Sequence, residues 1–413
     1  MAEPSKRPRK TRKVRLDVDI VGAVTGFGSA TRPTPAHHRL VRNYCSPLLL
    51  GPPRSDDVLA LMVHTFTEDE ADVAQHLPPL RPRTAAKVAR RAGRPEPEVT
   101  RLLDGLADHK RVIFAAGSPR KYTIVPLIPG TIEITLMRPE VSGLTEWHKG
   151  YVELYKRVWD TGYITRYVSF ARAPVRYLPV GGVVDTLYSA CPADQLEAIL
   201  APYDRFAVGQ CICRISARLL GEGCDKPLGN CAFYGPMADD AVERGWARAV
   251  DREELVARKR DAESHGCVTW MVNEVGDPKG NVSCSCCGCC CHALKTVNQF
   301  NAPGAISRPH FLPELDREAC NLCGKCVRQC PMGAWKAIGA QLYFDPVRCI
   351  GCGICVVACK PGALVLQPVP EPEPVAESWG GLLTRIAPDL VANAFKAWTG
   401  RLFGPPRLGP FRR

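Results

Sequence analysis

Residues 320–331 read CNLCGKCVRQCP, and residues 349–360 read CIGCGICVVACK. Both runs follow C-x2-C-x2-C-x3-C: Cys320, Cys323, Cys326 and Cys330, then Cys349, Cys352, Cys355 and Cys359. Each cysteine of the second run lies 29 positions after its counterpart in the first. A constant offset across four positions marks an internal duplication. A tight C-x2-C-x2-C loop gathers three thiolates on one side of a centre, and the fourth cysteine is too far along to close the same loop. Tetrahedral zinc sites are built from C-x2-C pairs with longer spacers, so a third in-register cysteine exceeds what zinc needs. Gly324, Gly351 and Gly353 allow the backbone to wrap closely and aim N–H groups inward.

These runs resemble the bacterial two-cluster [4Fe–4S] ferredoxins. In that family the fourth cysteine of each run ligates the other cluster. The resemblance therefore implies one cluster on Cys320, Cys323, Cys326 and Cys359, and a second on Cys349, Cys352, Cys355 and Cys330. One departure is Lys360, where the first repeat has Pro331. A hairpin is expected over residues 334–338 and 341–345, with a returning strand over 363–366.

Of the 21 cysteines, 19 lie between Cys211 and Cys359. The start of the chain is basic and lacks an apolar signal core, so a reducing, cytoplasmic compartment is expected and disulfides are not. Upstream of the duplication stand Cys211-Ile-Cys213-Arg214, then Cys224, Cys231 and Cys267, then Cys284-Ser-Cys286-Cys287-Gly-Cys289-Cys290-Cys291-His292. This segment resembles bacterial 4Fe–4S binding proteins in which C-x-C-R and C-x-C-C-x-C-C segments precede a two-cluster ferredoxin domain; Cys267 and Cys291 lie outside that pattern. Cys211, Cys213, Cys224, Cys231, Cys284, Cys286, Cys287, Cys289 and Cys290 are the candidate ligands of an additional site. Soft sulfur ligands suit an Fe–S cluster first, with zinc as the alternative. Adjacent cysteines point opposite ways in an extended chain, so they can serve two metals, or one metal and a packing role. His292 is expected to hydrogen-bond a ligand; Cys45, Cys191 and Cys267 are expected to be structural.

Toward the amino end, helices are expected over residues 57–64, 67–77, 84–92 and 96–109, followed by strands over 112–114 and 121–125. Val99, Leu102, Leu103 and Leu106 have helical spacing. Helix, turn, helix and a two-stranded wing resembles the winged-helix fold. Glu96 and Glu98 open the recognition-helix position and would face phosphates, so protein docking is expected and specific nucleic-acid binding is not. Residues 19–55 show no clear period. Further helices are expected over 147–159 and 193–200.

The organisation expected is α+β and multidomain. It comprises a basic arm (1–18), a winged-helix-like domain (51–136), a cysteine-rich α+β domain (140–310), a 2[4Fe–4S] ferredoxin-like domain (311–368), and a Pro-rich linker with an amphipathic helix (369–413). The net charge of +12 owes much to the arm. Residues 376–403 carry Trp379, Leu382, Leu383, Ile386, Leu390, Phe395, Trp398 and Leu402 at near-helical period, broken by Pro388. They either pack on protein or lie on a membrane surface. No phosphate loop, G-x-S-x-G, H-E-x-x-H or dinucleotide fingerprint is present; Gly26-Phe27-Gly28 alone is too short a signal. The function expected is single-electron transfer with a redox partner protein. The alternatives are an oxidoreductase with a catalytic cluster in 208–294 and an Fe–S-sensing winged-helix regulator.

Overall fold

The computed structural model describes residues 12–16, 27–184 and 192–402. Most of the basic arm and Cys191 lie outside these residues. The chain divides into two compact bodies.

One body takes residues 27–136, 142–169 and the chain from Pro388. Its helices are α1 (Pro35–Tyr44), α2 (Asp56–Thr65), α3 (Glu68–Ala74), α4 (Ala85–Ala92), α5 (Glu96–Asp104) and α6 (Glu146–Asp160), and its hairpin pairs β1 (Phe114–Ala116) with β2 (Lys121–Thr123). α1 falls where no period was legible. Thr34 and Pro35 start it, and the Thr34 N–H donates to His37 Nδ1 at 3.2 Å. The same device opens α6, where the Thr145 N–H donates to His148 Nδ1. Histidine here does the work usually given to Glu or Gln in a capping box, which hid the signal. Strand β1 begins two residues later than expected, because Val112 and Ile113 are buried as loop rather than paired.

Lys110 is the buried centre of this body. Its ammonium donates to Glu70 Oε2 at 2.5 Å and to the carbonyls of Gly28 and Thr65. Glu70 also accepts the Thr67 N–H that starts α3, so one carboxylate caps a helix and neutralises a buried cation. Removing one partner of such a pair costs roughly 3–5 kcal/mol. Glu70→Gln should therefore lower unfolding free energy by about that amount, and adding Lys110→Met should recover part of the loss, as read by denaturant unfolding of the holo protein.

The other body contains residues 12–16, 137–141, 170–184 and 192–387. Its core is an antiparallel six-stranded sheet of β3 (Val175–Tyr177), β4 (Phe206–Gln210), β5 (Gly229–Tyr234), β6 (Arg248–Val250), β7 (Val268–Val272) and β8 (Asn281–Cys286), in the order β3-β7-β8-β5-β4-β6. Helices α7 (Ile212–Leu219), α8 (Arg252–Ser264) and α9 (His292–Asn298) accompany it. These strands were not foreseen: β5 and β8 bear glycine, cysteine and serine where an alternating apolar pattern would mark a strand.

The duplicated segment follows. β9 (Phe311–Leu315) pairs with β12 (Leu364–Pro368), and β10 (Trp335–Ile338) pairs with β11 (Gln341–Phe344). The hairpin forms where expected; the returning strand pairs with residues 311–315 instead of joining it. The Pro-rich segment that follows is docked: Ala376 bridges to Glu274, and the Trp379 indole donates to Gly280 O at 3.0 Å. Helix α10 (Trp379–Leu402) runs through Pro388. Its apolar residues divide: Leu382, Ile386 and Ala397 are buried, whereas Val391, Phe395 and Trp398 are exposed. Among the described residues, no helix is long and apolar enough to cross a membrane.

Candidate metal centres

The backbone repeats the sequence duplication. Gly324 and Gly353 each precede a short helix in the left-handed region, at φ 65° and 73°. Leu322 and Gly351 occupy the other pair of matching positions, at φ 56° and 69°. A Cβ on Gly351 would lie 2.6 Å from Pro309 Cβ and 2.9 Å from Phe311 O, so only glycine fits there. Leu322 is half exposed, which tolerates a side chain in the same strained conformation.

Two cavities open between the runs. One is lined by Cys320, Cys323, Cys326 and Cys359, with Leu315, Leu342 and Leu364. The other is lined by Cys330, Cys349, Cys352 and Cys355, with Met332, Trp335 and Ile354. Each cavity thus meets three cysteines of one run and the fourth of the other. The donor set, four thiols around an apolar hollow, fits an iron–sulfur cluster. The second cavity is richer in donors to sulfur: the Ala334 N–H reaches Cys330 Sγ at 3.3 Å, the Gly351 N–H reaches Cys349 Sγ at 3.4 Å, and the Ile354 N–H serves Cys352. Burial pushes the Cys349 thiol up to about 11 and Cys355 to about 12. Such thiols lose their protons at neutral pH only when a metal replaces them.

The cysteine-rich segment sorts into two groups. Cys224, Cys287, Cys289 and Cys290 have all their sulfurs within 4.8 Å of one another. The Cys224–Cys287, Cys224–Cys290 and Cys289–Cys290 separations are each 3.7 Å. A tetrahedron of thiolates about 2.3 Å from one ion has edges of about 3.8 Å, so these distances fit a single tetrahedral metal. Cys211, Cys213, Cys231, Cys284 and Cys286 are not part of that group. Cys231 and Cys284 face each other across β5 and β8 at 3.6 Å. Cys286 lies 3.2 Å from Cys291, and the Cys213 thiol faces both Cys211 and Cys291. His292 Nδ1 is 3.3 Å from Cys213 Sγ; burial lowers this imidazole to about 4, so it is neutral at pH 7. Cys45 and Cys267 are fully buried.

The arginine of Cys211-Ile-Cys213-Arg214 has a role that sequence reasoning did not assign. Arg214 is fully buried and donates to Ser285 O, to Asn230 Oδ1, and to the sulfurs of Cys287 and Cys267 at 3.6 and 3.7 Å. Among the described residues it makes no ion pair with a carboxylate. Lys259 is also buried, and its one hydrogen bond among the described residues is to Asn230 O.

The ferredoxin-like unit is joined to this sheet at its Cys349 end. The Val180 N–H donates to Cys352 O at 2.9 Å. Asn298 Nδ2 donates to both Gly288 O and Pro331 O, and Arg348 binds Met332 O and Asn298 Oδ1. Cys286 and Cys291 share one apolar cluster with Met332, Ile350, Cys352 and Leu366. Cys323, by contrast, is exposed.

A family model described as a 4Fe-4S dicluster domain matches residues 312–360. The thiosulfate reductase electron transfer subunit of Salmonella typhi is 32% identical over 105 residues, covering 22% of this chain and 54% of that protein. The electron transport protein HydN of Escherichia coli is 30% identical over 108 residues, 23% of this chain and 61% of that protein. An uncharacterised ferredoxin of Methanocaldococcus jannaschii is 28% identical over 90 residues, 21% of this chain and 52% of that protein. The chain thus spans less than two thirds of the length of each of these relatives. No solved structure matches it. The duplicated unit is a ferredoxin-like dicluster domain of the kind that carries 4Fe–4S clusters, set within a chain of mixed helix and sheet.

A Cβ on Gly288 would fall 2.1 Å from Pro331 O, backbone against backbone. Gly288→Ala should therefore force the Pro331 turn away, costing about 1–3 kcal/mol. The expected signature is faster limited proteolysis near residue 331 and an altered EPR signal from the cluster nearest Cys330.

Proposed function

We propose that this chain relays single electrons between a redox partner protein and an additional cysteine-bound centre through two ferredoxin-type [4Fe–4S] clusters. The ligands are Cys320, Cys323, Cys326 and Cys359 for one cluster and Cys349, Cys352, Cys355 and Cys330 for the other. The additional centre lies among the cysteines of 211–290, with Cys224, Cys287, Cys289 and Cys290 as its ligands. The observation that carries this reading is the pair of cavities, each lined by three cysteines of one run and the fourth of the other.

When bound, [4Fe–4S] clusters supply one-electron chemistry without bond making in the protein. The residues around them do the rest. Ala334 and Gly351 aim N–H groups at sulfur, which stabilises added negative charge. Trp335, Ile354 and Leu366 exclude water from the Cys349 cavity. Exposed Cys323 and Leu322 make the Cys320 end the side offered to a partner. Similarity to two electron-transfer proteins supports a role as the electron-carrying part of a larger oxidoreductase.

The helical body is read as a winged-helix-like module for protein docking, located at 51–136. Arg94, the cation preceding α5, is already held by Asp69, Asp72 and Glu98 and is not free for phosphate. The exposed Val391, Phe395 and Trp398, with Lys396 beside them, support contact of residues 376–403 with the cytoplasmic membrane face.

Cys330→Ala should abolish the EPR signal of the cluster held by Cys349, Cys352 and Cys355 and spare the other; Cys359→Ala should do the reverse. Loss of the sequence-neighbouring cluster in either variant would refute the exchanged ligation. For the membrane contact, Phe395→Glu should reduce flotation with anionic liposomes several-fold. Flotation unchanged from wild type would remove that role.

A further inference from the structure

The sulfurs of Cys224, Cys287, Cys289 and Cys290 all lie within 4.8 Å of one another. In a cubane each cysteine binds a different iron at its own corner of the cube, so the four sulfurs stand farther apart than the edge of a single-ion tetrahedron. The ferredoxin-type cysteines of this chain are arranged in that wider way. They stand around hollows, and among the described residues no three of them bring their sulfurs within 4.8 Å of one another. The cysteine-rich group is closed where the ferredoxin-type groups are open, which leaves room for one ion and none for bridging sulfides.

Hydrogen bonds hold the group in place. Arg218 donates to Cys224 O at 2.8 Å and to Lys226 O at 2.7 Å, which fixes the loop carrying Cys224. Cys224, Cys287 and Cys290 are buried, and Cys289 alone of the four is exposed, an edge at which an ion can enter. Four thiolates on a divalent ion leave a net anion. Arg214, fully buried, answers it with an N–H to Cys287 Sγ at 3.6 Å, and among the described residues it pairs with no carboxylate. The turn that carries three of the four sulfurs also seats the ferredoxin-like unit. Gly288, between Cys287 and Cys289, packs on Pro331 O, and Asn298 Nδ2 donates to Gly288 O at 3.1 Å and to Pro331 O at 2.9 Å. Pro331 directly follows Cys330.

We propose that Cys224, Cys287, Cys289 and Cys290 hold a single tetrahedral soft-metal ion, zinc or iron, without bridging sulfide, and that this ion fixes the 287–290 turn against the Cys330 loop. The inference rests on the ligand set proposed above for the additional centre, and it assigns that centre one ion and a structural task. Zinc and iron share the chemistry required, a divalent ion that takes four thiolates in a tetrahedron. Iron extends the relay by one electron carrier. Zinc has no redox chemistry and ends the relay at the Cys349 cavity. In either case the ion ties Cys224 to a sulfur 63 residues further along the chain and holds Gly288 in register with Pro331.

The test uses full-length protein purified without oxygen, with zinc, iron and acid-labile sulfide counted per chain. One zinc or one iron beyond the two [4Fe–4S] clusters, with no sulfide beyond theirs, supports the proposal and tells the two ions apart. Sulfide in excess of the two clusters, lost together with iron in a Cys289→Ser/Cys290→Ser variant, makes the centre a cluster; the proposal then fails while the additional centre stands. No metal beyond the two clusters removes both. The same variant should lose the single ion, shift the EPR signal of the cluster nearest Cys330 and leave that of the Cys320 cluster unchanged. An ion retained at full stoichiometry overturns the ligand assignment. An ion lost with both EPR signals unchanged, or with both altered alike, overturns the seating role. Should the double variant not accumulate, Cys289→Ser at the exposed position is read in the same way, its ion passing to a chelator at a lower concentration than in wild type; release at the wild-type concentration overturns the proposal.

Discussion

Arg214 and Lys259 are buried together in a sheet where Arg214 touches the sulfurs of Cys287 and Cys267, and Lys259 faces the sulfurs of Cys284, Cys231 and Cys286 as well as the Glu263 carboxylate. A protonated thiol cannot balance a guanidinium or an ammonium. A bare thiolate set, with sulfurs 3.2–3.7 Å apart, would repel itself. Only a metal lets several sulfurs be anionic at close range and still leave a modest net charge. On the additional centre proposed above, folding of the cysteine-rich sheet and metal binding would be one equilibrium, as in small thiolate domains. The same logic extends to Cys267, which burial pushes up to about 12 and which stays a packing thiol beside Arg214.

The two halves of the duplication share a backbone path but not a setting. At Gly351 and Gly353 the body presses in, through Pro309, Phe311 and Val183, and a side chain has no room. At Leu322 nothing presses, and a half-exposed leucine adopts the same left-handed geometry. The Cys349 half is thus fixed against the sheet, while the Cys320 half faces outward. The relay proposed above, with one anchored end and one open end, would run in the order outside partner, Cys320 cavity, Cys349 cavity, sheet. The burial of Cys352 and Cys355 against the exposure of Cys323 follows the same order.

Much of the ferredoxin-like unit was legible because its signal is covalent spacing, which survives any packing. The hairpin of β1 and β2 and helices α2–α5 were legible because their caps and periods are local. The six-stranded sheet was not. β8 carries Ser283, Cys284, Ser285 and Cys286, a pattern no propensity scale reads as a strand. α1 was hidden because its cap uses His37. The roles of Asn298, Arg348 and Gly288 were hidden because each depends on a partner more than thirty residues away: Pro331 for Asn298 and Gly288, and Asn298 for Arg348. Cys291 lies outside the spacing of the proteins this segment resembles, yet it stands 3.2 Å from Cys286.

The density of cysteines from 284 to 291 follows from where β8 ends. The strand delivers Cys284 and Cys286 to one face and Cys287 to the other. The chain must then reverse in the space left by the Pro331 carbonyl, which admits only Gly288. Beyond that turn, Cys289 and Cys290 return to the Cys224 side, and Cys291 begins α9 beside Cys286. One short segment therefore serves both faces of the sheet and touches the loop that carries Cys330. A shift of one residue anywhere in it would exchange the faces of the sulfurs, bring a side chain against Pro331, or both. That coupling ties the geometry of the sheet's sulfurs to the seating of the ferredoxin-like unit, so neither can be altered independently of the other.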